Sequence, residues 1–136
     1  MLQLVYISTA REPIDQALSE DILAASRRNN RADGITGLLV AGKRRFLQAL
    51  EGPDDKVRAA FARIAADPRH YACVILSDRT IDQPQFGQWA MGYDAAGDEG
   101  DDGDDLRTIV AALVAPLKDP NLRAQFLGFV DIQSAA

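Results

Sequence analysis

The sequence is short of the residues from which active sites are most often built. Its 136 residues include one cysteine, one histidine and one tryptophan. A lone cysteine, Cys73, excludes an internal disulfide and agrees with a reducing cytoplasm. Together with a single histidine it leaves too few ligands for a dedicated zinc site, which usually needs about three or four, so no metal is expected. Basic residues are the minority, 15 against 20 acids, for a net charge of −5. Broad nucleic-acid binding wants a basic face and is not expected. No apolar run is long enough to span a bilayer, and "MLQLVYIS" lacks the basic front and long apolar middle of a signal peptide. What is present, 47% hydrophobic and 26% charged residues, is the make-up of a globular protein with one real core. A cytoplasmic single domain with no membrane partner is the expectation.

Along the chain, "LQLVYIS" is rich in β-branched and large apolar residues and predicts a strand over residues 2–8. "SEDILAASRR" has Ser19 as N-cap, acids in its first turn and arginines in its last, so it predicts a helix. Asn29 and Asn30 follow where that helix should stop, since asparagine tolerates a left-handed cap. "GITGLLVAG" and "RFLQALEG" predict a hairpin turning at Gly42, Lys43 and Arg44. "PDDKVRAAFARIAADP" predicts a second helix that Pro53 opens and Pro68 ends, with Val57, Phe61 and Ile64 on one face. "YACVILS" reads as an apolar strand, and "FGQWAMGY" as a fifth, weaker one because of its two glycines.

The order β-α-β-β-α-β-β predicts a ferredoxin-like α+β fold, a mixed five-stranded sheet with two helices on one face. Residues 94–105 then carry seven acids and no apolar side chain larger than alanine, which predicts a solvated linker. A calcium loop fails there: with Gly103 as the turn glycine, Gly100 falls on a ligand position and Ile109 where the bidentate glutamate belongs. "LRTIVAALVAPL" and "PNLRAQFLGFV" predict a helical tail over residues 106–136. There are no internal repeats.

Two polar side chains fall on faces that should be dry. If Leu2 and Leu4 face the core, so do Tyr6 and Ser8; if Phe46 and Leu50 do, so does Gln48. A buried amide without partners costs roughly 1–3 kcal/mol. Something polar must answer Gln48, and the tyrosine hydroxyl, the backbone and a bound polar heterocycle all qualify. Taken singly, each residue has an ordinary structural explanation. Trp89 and Met91, alternating on the last predicted strand, read as core on the same terms.

Taken jointly, "YIS", "SRRNNRADGITG", "FLQALEG", "RIAADPRH" and "FGQWAMG" resemble the BLUF family of blue-light sensors that use FAD, in order and spacing, over about residues 1–93. The resemblance implies a flavin-binding photosensor domain at 1–93, followed by the acidic linker and the tail. It implies that FAD is held non-covalently, with FMN or riboflavin as possible substitutes. Its ring would lie between the two helices, flanked by Ile22 and Ile64. Asn30 matches the asparagine on the ring's carbonyl edge, and Asn29 and Ser26 match more variable neighbours. Asp67, Arg69 and His70 match positions near the other polar edge and the ribityl chain, and Arg63 a phosphate contact. Tyr6 and Gln48 match the family's photochemical relay, and Trp89 and Met91 its signalling pair.

The function implied is light sensing and not catalysis. Light would move an electron and a proton from Tyr6, with Gln48 rotating or tautomerising, and the change would reach a separate downstream protein. Short BLUF proteins suggest a homo-oligomer, a dimer or larger, formed through the sheet face or the tail. Covering the sheet with Ile109, Val110, Leu113 and Phe126 is physically reasonable. Two alternatives remain at this stage. One is an acylphosphatase-type enzyme using Arg11 with Asn29 or Asn30. The other is a light-insensitive regulatory domain of the same fold.

Overall fold

The computed structural model describes residues 1–12, 16–41, 44–86, 92–95, 111, 114, 115 and 117–135. Five strands form one sheet: β1 (Leu2–Ala10), β2 (Thr36–Ala41), β3 (Arg45–Gly52), β4 (His70–Thr80) and β5 (Gly92–Ala95). Their spatial order is β4-β1-β3-β2-β5. Neighbours among β1 to β4 run antiparallel, while β5 lies parallel to β2 from Leu38↔Gly92 to Ala41↔Ala95. Helices α1 (Gln16–Asp33) and α2 (Asp54–Ala65) follow β1 and β3, and α3 (Pro120–Ala135) closes the chain. The class is α+β.

The central strands β1, β2 and β3 are buried on both faces. One layer joins Leu2, Leu4, Tyr6, Leu39, Phe46 and Leu50 to Val57 and Ala60 of α2, with Ile22 of α1, Phe61 and Ile64 packed against them. The other joins Val5, Leu38, Val40, Leu47 and Ala49 to Phe86, Val114, Leu117, Leu122, Phe126 and Phe129. Each fully buried aliphatic or phenylalanine side chain contributes about 1.5–3 kcal/mol relative to exposure. Phe126 thus covers the sheet, whereas Ile109, Val110 and Leu113 lie outside the described residues.

Several boundaries differ from the sequence expectation. The first helix starts three residues before Ser19 and runs to Asp33, so Ser19 is not its cap and Asn29 and Asn30 do not end it. Gly34 does, at φ +71°, with the Ile35 N–H bonded to the Asn30 carbonyl at 2.9 Å. That six-to-one bond across a left-handed glycine stops a helix more decisively than asparagine. β1 reaches Ala10 and β4 spans His70–Thr80, both longer than expected. β4 is also a sheet edge, and Val74, Ile75 and Leu76 are 52%, 44% and 47% exposed, so its apolar run is not a buried strand. Register shifts against β1 between Val5/Tyr6 and between Ile7/Thr9 break its alternation. β5 begins at Gly92 and takes in Asp94 and Ala95, so the acidic stretch starts inside a strand. α3 extends to Ala135, beyond the expected Val130. Trp89, Met91 and residues 96–110 lie outside the described residues.

Gly37 of β2 is fixed by proximity. A Cβ there would stand 2.0 Å from the Ala49 carbonyl oxygen on β3, where only backbone could give way. Gly37→Ala is expected to cost on the order of 1–3 kcal/mol, the usual range for overpacking. Thermal unfolding should show a midpoint several degrees lower; an unchanged midpoint would mean the strands are not so closely apposed.

Candidate functional site

Strand alternation and the β1–β3 register bring the two odd polar residues together. Tyr6 and Gln48 are direct cross-strand partners, both 2% exposed, and both side chains point toward the helices. The Tyr6 hydroxyl donates to Gln48 Oε1. Of the partners open to Gln48 from sequence, the phenol is therefore one that is realised. Phe61 of α2 meets the Tyr6 ring edge-on at 5.1 Å and 68°. Burial raises the Tyr6 pKa well above its ordinary value, with smaller contributions from Cys73 and Asp67. The phenol therefore keeps its proton and remains a donor across the whole physiological range.

Above this pair, α1 and α2 flank a cavity of about 140 Å3. Its inner part is dry: Leu39, Phe46 and Ala60 are buried, with Ile22 of α1 and Ile64 of α2 facing it from either side. Asn30 is 3% exposed and lines this part, so the helix buries one asparagine of the pair and exposes the other, Asn29. Ser26, one turn earlier on α1, also lines the cavity and is half-buried. The cavity brings these side chains together with Ala25, Leu39 and Ala60, small or apolar residues that carry no chemical signal in the sequence.

The rim is polar. Arg63 is half exposed and pairs with Asp33 at 3.7 Å, a surface contact of roughly 0–1 kcal/mol that leaves its guanidinium free to meet an anion. Asp67 accepts from the Arg69 backbone N–H at 2.9 Å and from Arg69 Nε at 3.0 Å. Those Arg69 hydrogen bonds hold the Asp67 carboxyl below its ordinary pKa, against the opposing effect of burial. His70 lines the cavity too, but both ring nitrogens are already engaged. Nδ1 lies 2.8 Å from Ser8 Oγ, and Nε2 meets the Ile64 carbonyl. A carbonyl only accepts, so Nε2 carries a proton and donates to it. His70 thereby ties the end of α2 to β1 two residues beyond Tyr6.

A space of this size holds about one six-membered ring. A larger planar ligand must extend toward the rim. A family model described as sensors of blue-light using FAD, BLUF, matches residues 1–92. The chain belongs to the BLUF family. FAD is the cofactor from which that family takes its name. The residues present fit a flavin: dry walls on both sides, buried amides for a ring with both donors and acceptors, and arginines at the mouth for phosphate.

Among BLUF relatives, the chain is 35% identical over 92 residues to the photoactivated adenylate cyclase subunit beta of Euglena longa, covering 65% of this chain and 11% of that protein. It is 37% identical over 90 residues to the blue light- and temperature-regulated antirepressor BluF of Escherichia coli, covering 65% and 22%. The chain thus spans about a tenth of the cyclase's length and about a fifth of the antirepressor's. Among solved structures, BlrB, a BLUF protein in its dark state, superposes with TM-score 0.72 at 27% identity, covering 99% of this chain and 96% of that one. BlsA in its photo-activated state gives TM-score 0.67 at 28% identity, covering 99% and 95%. A Klebsiella pneumoniae BlrP1 complex contains FMN; its likeness at 23% identity shows the fold alone. Among the described residues, no helix is long and apolar enough to cross a membrane.

Proposed function

We propose that this BLUF chain is a blue-light photoreceptor that binds FAD non-covalently in the α1–α2 cavity and signals to a separate protein. The observation that carries the reading is the buried Tyr6–Gln48 hydrogen bond at the floor of a cavity lined by apolar side chains and buried amides. Bound FAD supplies a chromophore that absorbs blue light and becomes a strong electron acceptor. Tyr6 gives up an electron, and its hydroxyl proton moves to Gln48 Oε1 along the existing hydrogen bond. Both return to Tyr6, so there is no net oxidation, and the Gln48 side chain is left rotated or as its tautomer. An amide is suited to this because it carries a donor and an acceptor on one swivelling group. Tyrosine is suited because its electron leaves together with a proton.

Asn30 and Gln48 hold the ring's polar edges in this reading, Ile22 and Ile64 its faces, and Arg63 a phosphate. Asn29 and Ser26 fill the space beside Asn30, and Asp67, Arg69 and His70 frame the side where the ribityl chain leaves. FMN or riboflavin would occupy the same inner cavity without the outer contacts. Trp89 and Met91 act in relaying the Gln48 change, and the tail carries contacts with partners or with further copies of the chain. The chain is then a sensor and not an enzyme. The acylphosphatase alternative needs Arg11 beside an asparagine, but Arg11 donates to the Pro68 carbonyl at 3.0 Å and lies over the Tyr71 ring, away from the cavity.

An absorption spectrum of the purified protein, before and after blue light, tests the reading. The expected outcome is a flavin spectrum that shifts reversibly to longer wavelength. A colourless protein that refuses added FAD, or a flavin spectrum indifferent to light, would overturn it.

A further inference from the structure

On the sheet face opposite the cavity a carboxylate is buried where an apolar residue would be expected. Glu51 of β3, three residues after Gln48, is 1% exposed. Its Oε1 accepts from the Phe86 backbone N–H at 2.6 Å and from Thr36 Oγ1 at 3.2 Å, and its Oε2 from Gln3 Nε2 at 3.2 Å. All three partners are donors, as an acceptor-only carboxylate requires. An ionised group is costly to bury unless hydrogen bonds replace its water, so these three bonds are what keep it there. They come from three places: β1, β2, and the connector that leads to β5.

The contacts continue to the tail. Gln3 Oε1 accepts from Arg79 Nε of β4 at 3.2 Å, and Arg79 forms an ion pair with Asp119. Asp119 caps α3, its Oδ1 taking the Asn121 and Leu122 N–H groups at 2.9 and 3.4 Å. The connector meets the same helix directly. Gln85 Oε1 accepts the Lys118 N–H at 3.0 Å, and the Phe86 ring stands edge-on to Phe126 with centroids 6.1 Å apart. Residues 85–86 and the start of α3 are thus joined to each other, and Glu51 joins both to β3.

We infer that Glu51 is a positioning residue for signal output: it makes the connector, Arg79 and α3 follow β3, so that a change at Gln48 reaches the tail. The inference rests on the proposed photoreceptor function. Its structural content is the line Gln48–β3–Glu51, which then divides into Phe86–Phe126 and Gln3–Arg79–Asp119. A merely structural Glu51 would affect stability alone, whereas a relay affects the light-minus-dark difference in the tail.

Hydrogen exchange in residues 117–129, in darkness and under blue light, reads this directly. The full chain with FAD is compared with Glu51→Gln, Glu51→Leu and Arg79→Met, and the red shift is recorded on each sample. All four should retain the red shift, because neither residue lines the cavity. Glu51→Leu should cut the light-induced exchange difference by about fivefold or more, the lower end of usual coupling between sites. Glu51→Gln keeps an acceptor for the Phe86 N–H and should restore most of the difference. Arg79→Met, which severs only the outer branch, should give a partial loss. It also decides the question if Glu51→Leu does not fold. A red shift in every protein with an undiminished difference in the folded variants overturns the relay alone. An unsubstituted protein without any red shift overturns the proposed function and the relay with it.

Discussion

Tyr6→Phe is expected to leave FAD bound and to abolish the light-induced red shift. The substitution removes one oxygen and keeps the ring, so the edge-on contact with Phe61 and the packing among Leu4, Leu39 and Leu50 remain. The cavity residues proposed to hold the flavin, Ile22, Ile64 and Asn30, are untouched. What disappears is the proton that the Tyr6 hydroxyl donates to Gln48 Oε1. Without that proton the amide has no reason to turn. The expected spectrum is that of an oxidised flavin, the same in darkness and after illumination. A full-sized red shift in Tyr6→Phe would disprove the assigned relay.

Gln48→Leu is expected to have the same photochemical result for a different reason. The donor remains, and the group proposed to rotate or tautomerise is gone. This variant also leaves the Tyr6 hydroxyl buried without that acceptor, at a cost of about 1–3 kcal/mol. Tyr6→Phe takes this donor away from the buried amide, at a cost of up to about the same size. The double variant strands neither, because both ends of the hydrogen bond are then apolar, and it should be more stable than the sum of the single changes predicts. Urea unfolding of the four proteins without flavin would give a coupling of about 0.5–3 kcal/mol if the hydrogen bond is as drawn. Strict additivity would show that the two side chains do not depend on each other. The two measurements are independent, one of light response and one of folding.

The floor of the site could be read from the sequence because it depends on a strict local rule. Side chains alternate along a strand, so Tyr6 had to share a face with Leu2 and Leu4, and Gln48 with Phe46 and Leu50. The order of elements followed from equally local signals, such as Pro53 before a helix and a polar turn between two apolar runs. Asn29 and Asn30 were misread as a helix end because asparagine is only a moderate stop signal, and Gly34, four residues further on, supplies a stronger one. The cost of that error was small: continuing the helix through Asn30 is what turns its amide inward.

Other features were illegible because they depend on residues far apart in the chain. Whether "YACVILS" is central or an edge is decided by where β1 and β3 pair, not by its own composition. Glu51 stands next to the end of β3, where a charged residue gives no sign in the sequence of being buried. Its burial comes from residues 86 and 114–129, which close over the second face of the sheet. No window of sequence around position 51 contains that information. The dry, uncharged lining at Ala25, Leu39 and Ala60 escaped for the opposite reason, since small apolar residues look the same in a cofactor wall as in any core.

The middle position of β1 also constrains how the protein is made. Its neighbours on either side, β3 and β4, lie more than forty and sixty residues later for most of its pairs, as in Tyr6↔Gln48 and Ile7↔Val74. β1 therefore emerges before either of its neighbours, and it is not flanked along its full length until Thr80 of β4 has emerged. Such long-range pairing slows folding, because loop closure precedes any reward from contacts. At synthesis rates of about 5–20 residues per second, that strand, with the tyrosine it carries, waits several seconds for its second neighbour.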